Sequence, residues 1–425
     1  MTKLEQEALI ARLNEAWNSL SIEEQDRIRP MLAQVKAQKL MSLTTGQVEK
    51  DPNIPHHMLL IESFLNEDHD RLVKTLHAPI MAPAIQRVGP EGEIWGFGKY
   101  QEMDLGWLEA GVIWLENLRY KYPFPNQNPP VINIPDDVTI AMMGDWGTGN
   151  WRGDANPSPS AKVAEAISNI APDVIIHLGD VYYSGTNKQE SENLLADWPS
   201  TKAGGMSFTL NSNHEMYPGA APLFQVTLAH EIFAAQQKHS FFALENSDWV
   251  IICLDSAYYS NVWKMYMSGA LGTAGNAQFS FIKTQAAKGK KTMVVTHHNG
   301  ISDNPNGIPT TNAFWNEMMS AFPVASPPAY WYWGHVHTGV VYKDAANGTK
   351  PRCLGHGAIP WGFSSELDKA KQKGNILWFE NRNANDPDIP VRVYNGFTIL
   401  ELSGSSIKET FYDETGNVAW AAPDA

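Results

Sequence analysis

Only two cysteines occur in 425 residues, Cys253 and Cys353, too few for a disulfide framework. A reducing, cytoplasmic setting is therefore expected. Cys253 lies in the apolar run Val250–Leu254 and reads as a buried thiol. No stretch reaches the ~18 apolar residues of a membrane-spanning helix, so no membrane partner is expected. The opening MTKLEQEALIARLNEAW is charged throughout and lacks the apolar centre of a secretory signal, so no export is expected. Basic residues are scarce, 32 Lys and Arg against 46 Asp and Glu, giving a net charge of -14. A chain this acidic, with no long Lys/Arg run, gains nothing from counterion release, which excludes long nucleic acids as partners. Internal repeats and low-complexity segments are also absent. What remains is a 43% hydrophobic chain of ordinary globular composition, long enough for one large domain and an accessory region.

Residues 1–122 read as a mainly helical accessory region. Leu9, Leu13, Ala16 and Leu20 recur at helical spacing, and Ser21 with Glu24 has capping-box spacing ahead of a second helix. Pro30 is expected to kink that helix or mark its start. A third helical pattern runs from about Met58 to Leu76. His56 and His57 have no carboxylate or cysteine near them at ligand spacing and read as no site. Residues 123–137, rich in Pro and Asn, read as a linker. From 138 to 425 short apolar runs alternate with helical segments. Val138–Met143, Asp173–Leu178, Met206–Leu210, Trp249–Leu254 and Thr292–Thr296 read as strands buried on both faces. Ala161–Ile170, Leu223–Ala235 and Ala274–Ala287 read as helices between them, and Phe397–Trp420 as a terminal hairpin. This is an α/β layered pattern.

Polar clusters stand at the ends of those strands. Two runs end in Gly-Asp, at Gly144-Asp145-Trp146-Gly147 and at Gly179-Asp180-Val181-Tyr182-Tyr183. In open α/β sheets ligands bind at the carboxyl ends of strands, so the two acids would meet there. Two close carboxylates repel unless a positive charge lies between them, and a metal ion is the simplest one. Asn211-Ser212-Asn213-His214-Glu215, Thr296-His297-His298 and Gly334-His335-Val336-His337 add amide and imidazole donors at further strand ends. Oxygen and nitrogen donors without cysteine suit first-row ions such as Fe, Mn or Zn. The candidate ligands are too many for one ion, and a pair of ions suits in-line displacement at phosphorus.

In order, G-D-W-G, G-D-V-Y-Y, N-H-E, V-V-T-H and G-H-V-H closely resemble the calcineurin-like metallophosphoesterase superfamily, over residues 138 to about 340. The resemblance implies a four-layer α/β/β/α sandwich of two sheets flanked by helices. Gly147 stands where most members have His, and Tyr183 follows Asp180 by three residues. That exchange is similar to the purple acid phosphatase branch, where a phenolate replaces the imidazole on a ferric ion.

The resemblance implies that Asp145, Asp180, Tyr183 and His337 hold Fe(III), and that Asn213, His297 and His335 hold a divalent Fe, Zn or Mn, with Asp180 bridging. It implies His214 as a catalytic residue beside a small phosphate-ester substrate, stabilising charge or protonating the leaving oxygen, with a metal-held hydroxide as the nucleophile. Hydrolysis of phosphate monoesters is the leading expectation. A phosphodiesterase of cyclic nucleotides or other small diesters is the alternative, and a metal-bound interaction module without catalysis is a third. A visible charge-transfer colour from Tyr183 is expected. Departures from the pattern are Ser212, where the family has Gly, and an N-terminal region unlike the family's usual companion domain.

Other residues carry lesser expectations. His298 and His356 are candidate substrate-binding residues, whereas His177 reads as a core histidine. Trp146, Trp151, Tyr182, Trp331, Trp333 and Trp361 read as core aromatics, some of them candidates for a pocket rim. The polar loop 299–307 reads as a surface loop or a flank of the pocket.

Overall fold

The computed structural model describes residues 3–45, 58–65, 87–125 and 127–423. His56 and His57, and the third helical pattern beyond Leu65, lie outside the described residues.

Two sheets lie face to face. One has six strands in the order Val418–Ala421, Ser406–Asp413, Gly396–Ser403, Asp137–Met143, Val174–His177, Met206–Thr209. The other has eight, in the order Ile376–Phe379, Gly339–Tyr342, Lys350–Leu354, Tyr330–Trp333, Lys291–Thr296, Trp249–Cys253, Phe242–Glu245, Val131–Asn133. Alternation along each strand sorts the side chains between layers. Ile140, Met142, Ile176 and Phe208 point inward and meet Ile251, Met293 and Tyr332 of the second sheet. Ala141, Met143 and Ile175 point outward, against Val163 and Ile167 of the helix Pro159–Ile170. On the opposite outer face Val250, Ile252, Val294 and Trp331 pack against Ile282 of Ala277–Ala286 and Met318 of Ala313–Ala321. The layers are therefore α/β/β/α. Strands covered on both faces have no polar side, which is why their runs are apolar throughout.

Local chemistry starts and stops the helices. Ser158 caps Pro159–Ile170 by accepting from Ala161 N, with Pro159 at the first helical position. Ser21 and Glu24 form the reciprocal box, with Ser21 N donating to Glu24 Oε2 at 2.8 Å and Glu24 N to Ser21 Oγ at 3.3 Å. That helix, Ile22–Thr45, carries Pro30 inside it and does not start there. The single helix expected over Leu223–Ala235 is instead two short turns, a π-type turn at Leu223–Thr227 and a 3₁₀ helix at Glu231–Gln236. Between them His230 takes an extended backbone and its ring caps Ile232 N, which breaks the helix. Val131–Asn133, within the Pro-rich segment, pairs in parallel with Phe242–Glu245 at the sheet edge.

The N-terminal helices do not have a separate core. Leu13, Leu20, Ile28, Ile61 and Trp114 belong to the same buried cluster as Val163, Tyr182 and Met216. Trp114 Nε1 donates to Val262 O at 2.9 Å. Both cysteines are buried free thiols. No described helix is long and apolar enough to cross a membrane.

Candidate metal centre

Parallel pairing decides where the polar motifs meet. In the six-stranded sheet Met143 pairs with His177, and His177 with Thr209. In the eight-stranded sheet Thr296 pairs with Trp333. The residues that follow, Gly144-Asp145, Gly179-Asp180, Asn213, His297 and Gly334-His335, therefore emerge together at one rim of the sandwich. Asp145, Asp180 and His335 turn sharply there, with φ of 56, 79 and 66°. Gly334 is required beside them, because a Cβ on it would lie 2.5 Å from Asp145 Oδ2.

The donor atoms converge. His335 N donates to Asp145 Oδ2 at 2.7 Å. Asp180 Oδ2 accepts from the Tyr182 hydroxyl at 2.8 Å, while its Oδ1 lies 3.3 Å from His297 Nε2. The Tyr182 hydroxyl also lies 3.1 Å from both Asp145 Oδ1 and His337 Nε2. Asn213 Oδ1 is 2.8 Å from His297 Nε2 and 3.2 Å from His335 Nδ1. Leu178 O engages His297 Nδ1 at 2.9 Å, which leaves Nε2 for the site. Among the described residues, Asp145, Asp180 and His297 bring one ligand atom each to within 4.8 Å of one another.

Electrostatics fits a cation. Burial, then the neighbouring Asp180, pushes the Asp145 carboxyl well above its ordinary range. Burial pushes Asp180 the same way, but His214, His297 and His335 around it carry it well below. The pair thus favours a single negative charge when no cation lies between its members. His335 and His297 are held low by burial, so their imidazoles are neutral and able to ligate. The set holds only oxygen and nitrogen donors, and the residues fit metal ions of the first row.

Of the seven ligands expected from the sequence, six come together at this rim: Asp145, Asp180, Asn213, His297, His335 and His337. Tyr183 is not. Its hydroxyl donates to Asp104, and burial pushes its phenol far above the ordinary value. The phenol that reaches both carboxylates is Tyr182, the preceding residue. His214 lies beside the set, with Nδ1 on Tyr183 O at 2.6 Å and Nε2 3.7 Å from Asp180 Oδ2.

His298 and His356 do not open toward a substrate. Both His298 nitrogens are engaged, Nδ1 with Ser256 Oγ at 2.9 Å and Nε2 with Tyr266 O at 2.7 Å. The main chain at His356 follows the site, with Gly357 N donating to Gly144 O at 2.9 Å. Its ring turns away, into the core between Gly339, Gly396 and the Trp378 and Phe411 rings. His177 is in the core, with Nδ1 on Thr209 Oγ1 at 3.0 Å. Trp146, Trp331 and Trp333 are fully buried. Trp361 stands edge-on to His337, with ring centroids 5.0 Å apart. The 299–307 loop packs on the helix Ser365–Gln372, with Lys369 Nζ donating to Pro305 O at 3.2 Å.

Ser212 and Glu215 stood in the third motif without a role, and Glu190 had no signal in the sequence. Ser212 donates to Asp180 Oδ1 and also contacts Glu215 Oε2. Glu215 and Glu190 lie buried beneath the site. Burial pushes Glu190 up to about 8, against a hydrogen bond donated by Thr227. A carboxyl with a raised folded-state value keeps its proton after the unfolded chain has lost it. Its contribution is therefore favourable below about 4.5 and is lost as pH rises to about 8. Glu190→Gln should raise stability by roughly 2 kcal/mol at pH 8 and by little at pH 5. Urea unfolding at the two pH values measures this, and a gain independent of pH would contradict it.

Residues 138–339 match the family described as calcineurin-like phosphoesterase. No curated protein matches the chain in sequence. Among solved structures it is similar to GAP50, the anchor in the inner membrane complex of Plasmodium, at 15% identity and TM-score 0.43, over 67% of this chain and 88% of that one. It is also similar to a purple acid phosphatase from yellow lupin (Lupinus luteus) seeds, at 15% identity and TM-score 0.41, over 69% of this chain and 54% of that one. A third is a predicted phosphoesterase of Streptococcus pneumoniae, at 11% identity and TM-score 0.28, over 67% of this chain and 96% of that one. With the ordered motifs, the shared rim and the family match together, residues 138–339 of this chain form a calcineurin-like phosphoesterase domain.

Proposed function

We propose that this domain is a hydrolase of phosphate monoesters with a two-metal centre, one ion ferric and the other divalent. The observation that carries the reading is the position of Tyr182, whose hydroxyl faces Asp145, Asp180 and His337 at once, at 3.1, 2.8 and 3.1 Å. A hard phenolate oxygen with two carboxylates and an imidazole suits a trivalent cation. Asp145, Tyr182 and His337 would hold that ion. Asn213, His297 and His335 would hold the divalent one, and Asp180, with one oxygen toward each group, belongs to both. Ions held there supply Lewis-acid polarisation of phosphoryl oxygens and a more acidic water.

The remaining work falls to His214. The Tyr183 carbonyl can only accept, so the proton of that 2.6 Å contact sits on His214 Nδ1. Nε2 is left toward the site, and the imidazolium form, which carries a second proton on Nε2, can pass that proton to the leaving alcohol oxygen and keep the one on Nδ1. Glu215 and Ser212 steady Asp180 from below, through Ser212 Oγ and the Asp180 amide.

Elemental analysis of purified protein, its visible spectrum, and parallel assays on an aryl monoester and an aryl diester test this reading. The expected outcome is iron with a second metal, a visible band and preference for the monoester. Tyr182→Phe should bleach the band, and Tyr183→Phe should leave it. A colourless iron-loaded protein would sink the phenolate assignment, and preference for the diester would shift the substrate class.

A further inference from the structure

The N-terminal region reaches the metal centre from outside the phosphoesterase domain. Trp107, near the start of the helix Gly106–Glu116, packs its ring 5.8 Å from Tyr182, 4.8 Å from Tyr183 and 5.9 Å from His214. Tyr100 stacks on Tyr183 at 4.7 Å, and its hydroxyl donates to Thr148 O at 3.0 Å. Asp104 is the hub of this contact. Its Oδ2 accepts from Tyr100 N at 2.7 Å and its Oδ1 from Gly106 N at 3.1 Å, and it also accepts the Tyr183 hydroxyl. The fit against Gly106 is tight, because a Cβ there would lie 2.3 Å from Tyr183 Cζ.

Tyr183 is thus fixed at both ends. Its phenol is tied to Asp104, and its carbonyl accepts from His214 Nδ1. We infer that Asp104 and Tyr183 are a positioning pair through which the N-terminal region sets the aim of His214. The Tyr183 hydroxyl is taken by Asp104 and its carbonyl by His214, so the pair acts through the imidazole. A carbonyl held still keeps Nδ1–H engaged and Nε2 turned toward Asp180, 3.7 Å away. A carbonyl free to shift lets the ring rotate, and proton delivery from Nε2 to the leaving oxygen suffers. The inference rests on the reading of His214 as the acid. It also gives the N-terminal region a task, since phosphoesterase chemistry in this chain then depends on a segment that precedes the domain.

The test uses the full chain with Tyr183→Phe, which keeps the ring and removes only the hydroxyl, and with Asp104→Asn. The substrates are an alkyl phosphate, whose leaving oxygen needs a proton, and a nitrophenyl phosphate, whose leaving oxygen needs little help. Expected for Tyr183→Phe is a fall in kcat of about tenfold on the alkyl ester and about twofold on the nitrophenyl ester. KM and metal content should not change. Asp104→Asn should follow the same pattern. In zinc-loaded protein with nitrogen-15 histidine, the His214 Nδ1–H should give one slowly exchanging signal in the parent and a broadened, fast-exchanging one in Tyr183→Phe. Gly106→Ala, which crowds the Tyr183 ring, should change the same signal. Equal loss on both esters with an unchanged imidazole spectrum would overturn the pair and leave only a structural role. If the parent protein hydrolyses neither ester, the phosphatase reading fails, and the imidazole spectrum alone decides whether the pair holds the ring.

Discussion

Asp180→Asn should lower kcat/KM on an aryl phosphate monoester by about 10³-fold or more, equivalent to about 4 kcal/mol, and should reduce the bound metal. The two oxygens of Asp180 face the two halves of the donor set. Its Oδ2 takes the Tyr182 hydroxyl at 2.8 Å, and its Oδ1 faces His297 Nε2 at 3.3 Å. An amide offers one oxygen and no charge, so it can satisfy one half only. The same substitution should have the opposite sign on metal-free protein. Asp145 is pushed above its ordinary value of 3.8 by burial and then by Asp180. Its favourable contribution is present below that ordinary value and is lost as pH rises through the raised one. Removing the Asp180 charge relieves this, so the metal-free variant should be at least as stable as metal-free parent near neutral pH. Elemental analysis, steady-state kinetics and thermal unfolding with and without chelator measure all three. A variant that keeps its metal and more than about a tenth of its activity would contradict the shared-ligand assignment.

His214→Ala should cost about 10² to 10³ in kcat with metal content unchanged. The two variants separate holding metal from moving a proton. His214 Nε2 is 3.7 Å from Asp180 Oδ2, farther than the His297 contact at 3.3 Å, and its Nδ1 is spent on Tyr183 O. The loss should grow with the basicity of the leaving alcohol, because only a poor leaving group needs a proton. A flat dependence on the leaving group would remove the acid role. Loss of metal in this variant would place His214 among the ligands instead.

Much of the metal centre was legible without coordinates. Asp145, Asp180, Asn213, His297 and His335 each follow an apolar run, and parallel strands in register present their ends at one edge. That logic needs only the strand pattern and the order of the motifs. The layered fold was legible for the same reason, since runs apolar on both faces demand cover on both faces. The break at His230 was not legible, because a helical apolar spacing persists across a backbone that turns extended there.

The sequence by itself determined the strand-end acids and imidazoles, and with them the class of chemistry. Only the tertiary structure put the Tyr182 hydroxyl at the two carboxylates and that of Tyr183 on Asp104, turned the His356 ring into the core, and brought Trp107 to His214. The physical reason is the same in each case. A strand has a period of two that fixes where its side chains point, so pattern alone places them. Past the strand end the chain has no period, and the direction of a side chain is set by the partners it meets. For Tyr183 that partner is Asp104, a residue 79 positions earlier in the chain.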